Sequence, residues 1–126
     1  MDVVSLTLPW PPSVNTYRRH VGSRVLISAP GRAYRTTVGG VVLVARARRQ
    51  LSLAPLLGAI AVRIEATPPD RRVRDIDNLL KAPLDALTAA GVWGDDSQIT
   101  ELTVLKLPPG AGSIRVIVSE AMQRAA

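Results

Sequence analysis

The run Ala59-Ile60-Ala61-Val62-Arg63-Ile64-Glu65-Ala66 puts Ile60, Val62 and Ile64 on one side of an extended chain and Arg63 and Glu65 on the other. That is the period-two pattern of a half-buried strand. Thr67-Pro68-Pro69-Asp70 ends it, because neither proline can donate to a sheet ladder. Beyond it lie a basic loop, Arg71-Arg72-Val73-Arg74, and then Asp75-Ile76-Asp77-Asn78. There the period changes: Ile76, Leu80, Leu84 and Leu87 keep helical spacing, and Gly91 supplies a stop. Pro83 inside this pattern predicts a kink, or a helix that restarts. A strand, a charged loop and a helix in succession set the frame for both flanks.

Upstream, Val3 to Leu8 alternates as a second strand, and Pro9, Pro11 and Pro12 forbid its continuation. The loop that follows, Trp10 to His20, mixes two aromatics with basic side chains. If exposed, it stacks on bases and meets phosphates, which makes Asn15, Tyr17, Arg18 and Arg19 candidate DNA contacts. The same residues equally describe a strand exit whose Trp10 and Tyr17 cover the edge of the core. Val25 to Ser28 suggests a short strand, and Pro30-Gly31 marks a turn into a helix whose apolar face is Tyr34, Val38, Val41, Val42 and Ala45. Gly39-Gly40 weakens that helix by about 1 kcal/mol per glycine relative to alanine. Arg46, Arg48 and Arg49 complement its dipole, or else face DNA. Downstream, Ile99 to Leu107 and Ser113 to Ser119 read as strands that pair in a hairpin around Pro108-Pro109-Gly110-Ala111-Gly112. The order predicts an α+β fold: a two-layer sandwich with a single mixed β-sheet and two main helices packed on one face.

At 126 residues and 47% apolar content, the chain is expected to form a single domain, residues 1–126. It carries neither an apolar run of the roughly 20 residues that span a bilayer nor the layout of a signal peptide, so a cytoplasmic protein without a membrane partner is expected. The absence of cysteine excludes thiolate chemistry, and the one histidine, His20, cannot make a zinc site alone. Any metal is left with mostly carboxylate ligands, which favour a hard ion such as Mg²⁺, Mn²⁺ or Ca²⁺.

The formal charge is +6, carried by 14 Arg and only 2 Lys, and the planar arginine fork suits phosphate. Residues 1–60 hold eight Arg against Asp2 alone. By contrast, six of the ten acids (Asp70, Asp75, Asp77, Asp85, Asp95 and Asp96) fall within 27 residues. A basic surface that gathers phosphate beside an acidic pocket that holds a cation is the charge plan of a metal-dependent nuclease. Solvated loop acids describe the same composition.

Asp75 and Asp77 are two apart, so their carboxylates share a side on extended backbone and diverge by roughly 200° on a helix. A shared cation therefore requires an extended lead-in, which the sequence permits if Asp75 ends the loop and Asp77 sits at the helix N-cap, a place that an aspartate fills for purely structural reasons as well. Lys81, four residues on, is placed for an ordinary i,i+4 pair with Asp77 or for stabilising charge that develops on a phosphodiester. Asp95-Asp96, past the end of the helix, offers two candidates for a third ligand.

The stretch Asp70-Arg71-Arg72-Val73-Arg74-Asp75-Ile76-Asp77-Asn78-Leu79-Leu80-Lys81 is followed by Leu84-Asp85-Ala86-Leu87 and by Gly91-Val92-Trp93-Gly94-Asp95-Asp96-Ser97-Gln98. Together they resemble the crossover junction endodeoxyribonuclease RusA family, Holliday junction resolvases typical of prophages. Leu8-Pro9-Trp10-Pro11-Pro12-Ser13-Val14-Asn15 and Tyr17-Arg18 match as well, so the resemblance covers nearly the whole chain. It implies a small homodimer with two active sites on a basic surface, each built on three aspartates and binding Mg²⁺, with Mn²⁺ as a substitute. Residue by residue, it implies that Asp75, Asp77 and Asp96 hold the metal, that Lys81 is catalytic beside them, and that Asp95 is a secondary acid. Pro83 and Gly39-Gly40 depart from the pattern. The implied activity is a pair of symmetrical nicks in a four-way DNA junction during recombination and repair, with a 5′-phosphate expected on the product and no small-molecule cofactor. Arg71, Arg72 and Arg74, beside the acidic pocket, are candidates for positioning phosphates, and solvated loop charges describe them as well. A junction-binding protein that does not cut, or an RNA-directed nuclease, are the competing expectations.

Overall fold

The structure, a computed structural model, describes residues 3–122. Its central feature is a four-stranded sheet in the order β1-β6-β4-β5, formed by β1 (Val4–Pro9), β4 (Ile60–Thr67), β5 (Ile99–Lys106) and β6 (Ser113–Glu120). β6 pairs antiparallel with both β1 and β4, whereas β4 and β5 run parallel, so the sheet is mixed as expected. The alternation read from the sequence sets the faces. Leu6 opposite Val116, and Ile64 opposite Val116 on the other side, are buried, while Arg63 and Arg115 point to solvent.

Two helices cover the buried face, α2 (Ala29–Ala47) and α3 (Lys81–Ala89). α2 starts where Ser28 caps it, its hydroxyl accepting from Gly31 N. It buries Gly31, Tyr34, Val38, Val42 and Ala45, the stripe predicted except that Val41 is only partly buried. Gly31 is needed for packing: a Cβ there would lie 2.7 Å from the Tyr17 carbonyl. The helix runs unbroken through Gly39-Gly40, because core burial on both flanks outweighs their low propensity. α3 is shorter than its apolar pattern suggested. A separate 3₁₀ turn, Ile76–Leu79, precedes it, and the helix restarts at Lys81 with Pro83 in its first turn, where a missing N–H costs nothing. Gly91, at φ +77, follows its C-cap, as predicted.

Two expectations are corrected. β5 and β6 do not form a hairpin, because β4 lies between them. Leu107 N donates to the Ala66 carbonyl and Gly110 N to that of Pro68, so the connection passes over the end of β4 instead of turning back. The short strand β3 (Arg24–Ile27) does not join the sheet either; it pairs with β2 (Arg18–Val21) in a separate two-stranded ribbon, behind the one-turn helix α1 (Val14–Tyr17). No described helix is long and apolar enough to cross a membrane.

Candidate active site and nucleic-acid interface

β4 ends at Thr67, and the chain between it and α3 carries the basic loop and the Asp75 and Asp77 pair. Asp70 folds the basic loop onto itself: it accepts from Arg72 N, pairs with Arg74 Nη2 at 2.8 Å, and pairs more loosely with Arg72 Nε at 3.7 Å. The backbone hydrogen bond from Arg72 and the two guanidinium charges hold its carboxyl below the usual range. Arg74 is largely buried, at 18% exposure, and its guanidinium lies 5.3 Å from the centre of the Trp10 ring. Arg74 is therefore a brace for the loop, whereas Arg71 is exposed with no hydrogen-bond or ion-pair partner among the described residues.

Asp75 is extended, at φ −77 and ψ 136, and stands at the N-cap of the 3₁₀ turn, as the lead-in to a shared cation requires. Asp77 is not a helix N-cap, contrary to expectation; it lies inside that turn, because Pro83 moves the start of α3 to Lys81. Both carboxylates are exposed, and neither has a hydrogen-bond or ion-pair partner among the described residues. In a chain with 16 basic side chains this is unusual, since Glu65, Asp70, Asp85, Asp95 and Asp96 all have partners. Lys81 does not pair back to Asp77 either. Its Nζ lies 3.6 Å from Asp85, one turn further on.

Asp96 begins a second 3₁₀ turn, Asp96–Gln98, and its Oδ1 accepts from the Thr88 hydroxyl and, at 3.3 Å, from Trp93 Nε1. Trp93 is fully buried, so the core itself orients this carboxylate. Asp95 is committed to structure: it forms a capping box with Gln98 and accepts from Ser97, and that hydroxyl hydrogen bond foremost holds its carboxyl below the usual range.

The three predicted ligands do not surround one point within a single chain. β4 and β5 are parallel, with Ile60 beside Ile99 and Ala66 beside Lys106. Asp96, just before β5, therefore lies at the start of β4, while Lys106 Nζ reaches the Arg74 carbonyl at the other end, next to Asp75. No group of three His, Cys, Asp or Glu among the described residues stands close enough to hold a metal ion. In donor type, Asp75 and Asp77 do suit a hard cation: two unpartnered carboxylates held on adjoining backbone.

Of the other predicted contacts, Asn15, Arg18 and Arg19 are exposed, on α1 and the ribbon. Tyr17 is corrected: it is 1% exposed, so its ring offers no face to a base, and its hydroxyl donates to Asp85. Asp85 and Arg35 are the residues that sequence reasoning passed over. Arg35 Nε and Nη2 both donate to Asp85 Oδ2, joining α2 to α3 beside Lys81. Burial alone would raise the Asp85 carboxyl, but the hydrogen bonds from Tyr17 and Arg35 and the charges of Arg35 and Lys81 outweigh it and hold the pKa below the usual value. The Tyr17 phenol is pushed up to about 12, first by burial and then by the Asp85 carboxylate.

The family model described as endodeoxyribonuclease RusA matches residues 9–119, which takes in the basic loop, the paired aspartates, Lys81 and Asp96. The chain belongs to the RusA family. Among similar RusA proteins, the crossover junction endodeoxyribonuclease RusA of Escherichia coli is 46% identical over 112 residues, covering 89% of each chain. Those of Shigella sonnei and Enterobacteria phage 82 are 47% and 45% identical over the same length and with the same coverage.

Proposed function

We propose that this chain is a divalent-metal-dependent crossover junction endodeoxyribonuclease, which acts in the cytoplasm as one RusA-like domain per protomer and resolves four-way DNA junctions by paired symmetrical nicks. The observation that carries the reading is the exposed Asp75 and Asp77 pair, without a side-chain partner among the described residues, directly ahead of Lys81 in a strongly basic member of the RusA family. Mg²⁺ is the proposed ion, with Mn²⁺ able to replace it, held by Asp75, Asp77 and Asp96. When bound, it supplies Lewis-acid stabilisation of the phosphodiester and a lowered pKa for an attacking water. Lys81 offers its ammonium to the charge that develops on the phosphate oxygens. Arg71 and Arg72 of the loop, with Asn15, Arg18 and Arg19, hold the DNA backbone.

Because Asp96 lies at the opposite end of β4 from Asp75, a second copy of the chain is the proposed source of the third carboxylate. A two-fold homodimer then builds two identical sites, which suits nicks placed symmetrically on opposing strands of a junction.

The test is incubation of the protein with an end-labelled synthetic four-way junction in Mg²⁺, beside a linear duplex and an EDTA control. Symmetrical nicks in the junction alone, abolished by EDTA, are expected. Tight binding that leaves the strands intact would instead favour a junction-binding protein, and preference for an RNA junction in competition would favour an RNA-directed enzyme.

A further inference from the structure

Asp85 joins three elements. Its Oδ2 accepts from the Tyr17 hydroxyl at the end of α1 and from Nε, at 3.0 Å, and Nη2 of Arg35 on α2, while Oδ1 faces Lys81 Nζ at 3.6 Å within α3. Arg35 Nε also lies 2.9 Å from the Tyr17 hydroxyl oxygen. These side chains line an open cleft together with Arg18 of the ribbon. Three cations, Arg18, Arg35 and Lys81, line the cleft against one carboxylate, so it carries excess positive charge.

Two details argue against a purely structural tie. Lys81 occupies the first turn of α3, where the helix dipole disfavours a cation, and a lysine placed N-terminal to its acid is the weaker i,i+4 arrangement. Helix stability alone would have put the charges the other way round. Among the described residues Arg35 also uses only Nε and Nη2, and the Arg18 side chain has no hydrogen-bond or ion-pair partner, so guanidinium donors in the cleft are left for an outside anion.

We propose that Asp85 is a positioning residue for cleavage: by gripping Arg35 and Lys81 it holds two cations at fixed spacing, so that with Arg18 they seat one backbone phosphate of the DNA in this cleft. The proposal rests on the nuclease reading above. Asp85 touches no reacting atom; it acts through Lys81 and Arg35.

The test uses the full chain with a synthetic four-way junction. Asp85→Asn is expected to lower the single-turnover cleavage rate in Mg²⁺ by roughly 10- to 100-fold, since small misplacements of a reacting group have effects of that order. Asp85→Glu restores part of the rate. Combining Asp85→Asn with Lys81→Ala lowers the rate by less than the product of the two single losses, because part of what Asp85 does passes through the same ammonium while its hold on Arg35 is lost separately. In EDTA, Arg35→Gln flattens the plot of log binding constant against log salt concentration by about one unit, the loss of one phosphate contact. Asp85→Asn cutting at the wild-type rate, independent multiplicative losses in the double variant, or an unchanged salt slope for Arg35→Gln would each overturn the proposal. Should Asp85→Asn not fold, the glutamate variant and the Arg35→Gln binding measurement decide. A wild-type protein that does not cut at all would overturn the nuclease reading itself, an outcome seen before any variant is compared.

Discussion

At the scale of single residues, Asp85 shows how a partly buried carboxylate keeps its charge. Tyr17 and Arg35 reach it from 68 and 50 residues away in the chain, and their hydrogen bonds outweigh the desolvation that would protonate it. Its folded pKa lies below the ordinary 3.8, so its contribution to stability is complete above that pH and is lost as pH falls through the lowered value. Urea unfolding of the wild type measured downward from pH 5 is therefore expected to lose more stability than that of Asp85→Asn; parallel curves would show that the carboxylate does not matter. Thr88 makes a second residue-scale case, because its hydroxyl serves both Asp96 and Trp93 Nε1. Thr88→Val leaves the buried indole N–H only the 3.3 Å contact to Asp96, and a loss of about 1–2 kcal/mol by urea titration is expected, with slower cleavage. Asp75 and Asp77 could be picked out in the sequence as neighbouring acids, but their relation depends on the backbone between them, which the structure makes extended at Asp75. The Asp85 and Arg35 pair was not legible, since it depends on side chains that meet only after the chain folds; for Tyr17 the sequence left base stacking and core cover equal, and its burial favours the second.

At the scale of elements, α2 tolerates Gly39-Gly40 without needing them. A Cβ at either position meets nothing within 4 Å, so neither glycine serves a close contact. Gly39→Ala and Gly40→Ala are each expected to stabilise the protein by about 0.5–1 kcal/mol, read as a higher urea midpoint at constant m-value. Periodicity made β4, β6 and the buried stripe of α2 legible, because each buries one face against the same core. It failed for the β5–β6 connection, where Pro108 to Gly112 has the composition of a tight turn. Turn chemistry is local and cannot reveal that β4 occupies the place between the strands. Pro83 signalled a break in the helix, but only the structure shows that the break moves Asp77 out of the N-cap and turns Lys81 towards Asp85.

At the scale of the whole molecule, a net charge of +6 with exposed Arg18, Arg19, Arg71 and Arg72 predicts junction binding that weakens steeply with salt. Arg71→Ala is expected to reduce the slope of that salt dependence by about one, whereas Arg74→Ala, which removes a loop brace, acts mainly on stability. The same scale governs the proposed metal site. Asp75 and Asp77 flank one end of β4 and Asp96 the other, and no group of three metal-ligating side chains stands together among the described residues, so the proposed ligand set of Asp75, Asp77 and Asp96 calls for two copies of the chain. The most direct measurement is complementation. Asp77→Asn and Asp96→Asn proteins, each inactive alone, are refolded together and given a four-way junction in Mg²⁺. Mixed dimers retain one site with Asp75 and Asp77 from one chain and Asp96 from the other, so the account predicts that nicking of the junction returns. A mixture as inactive as either variant alone would contradict it.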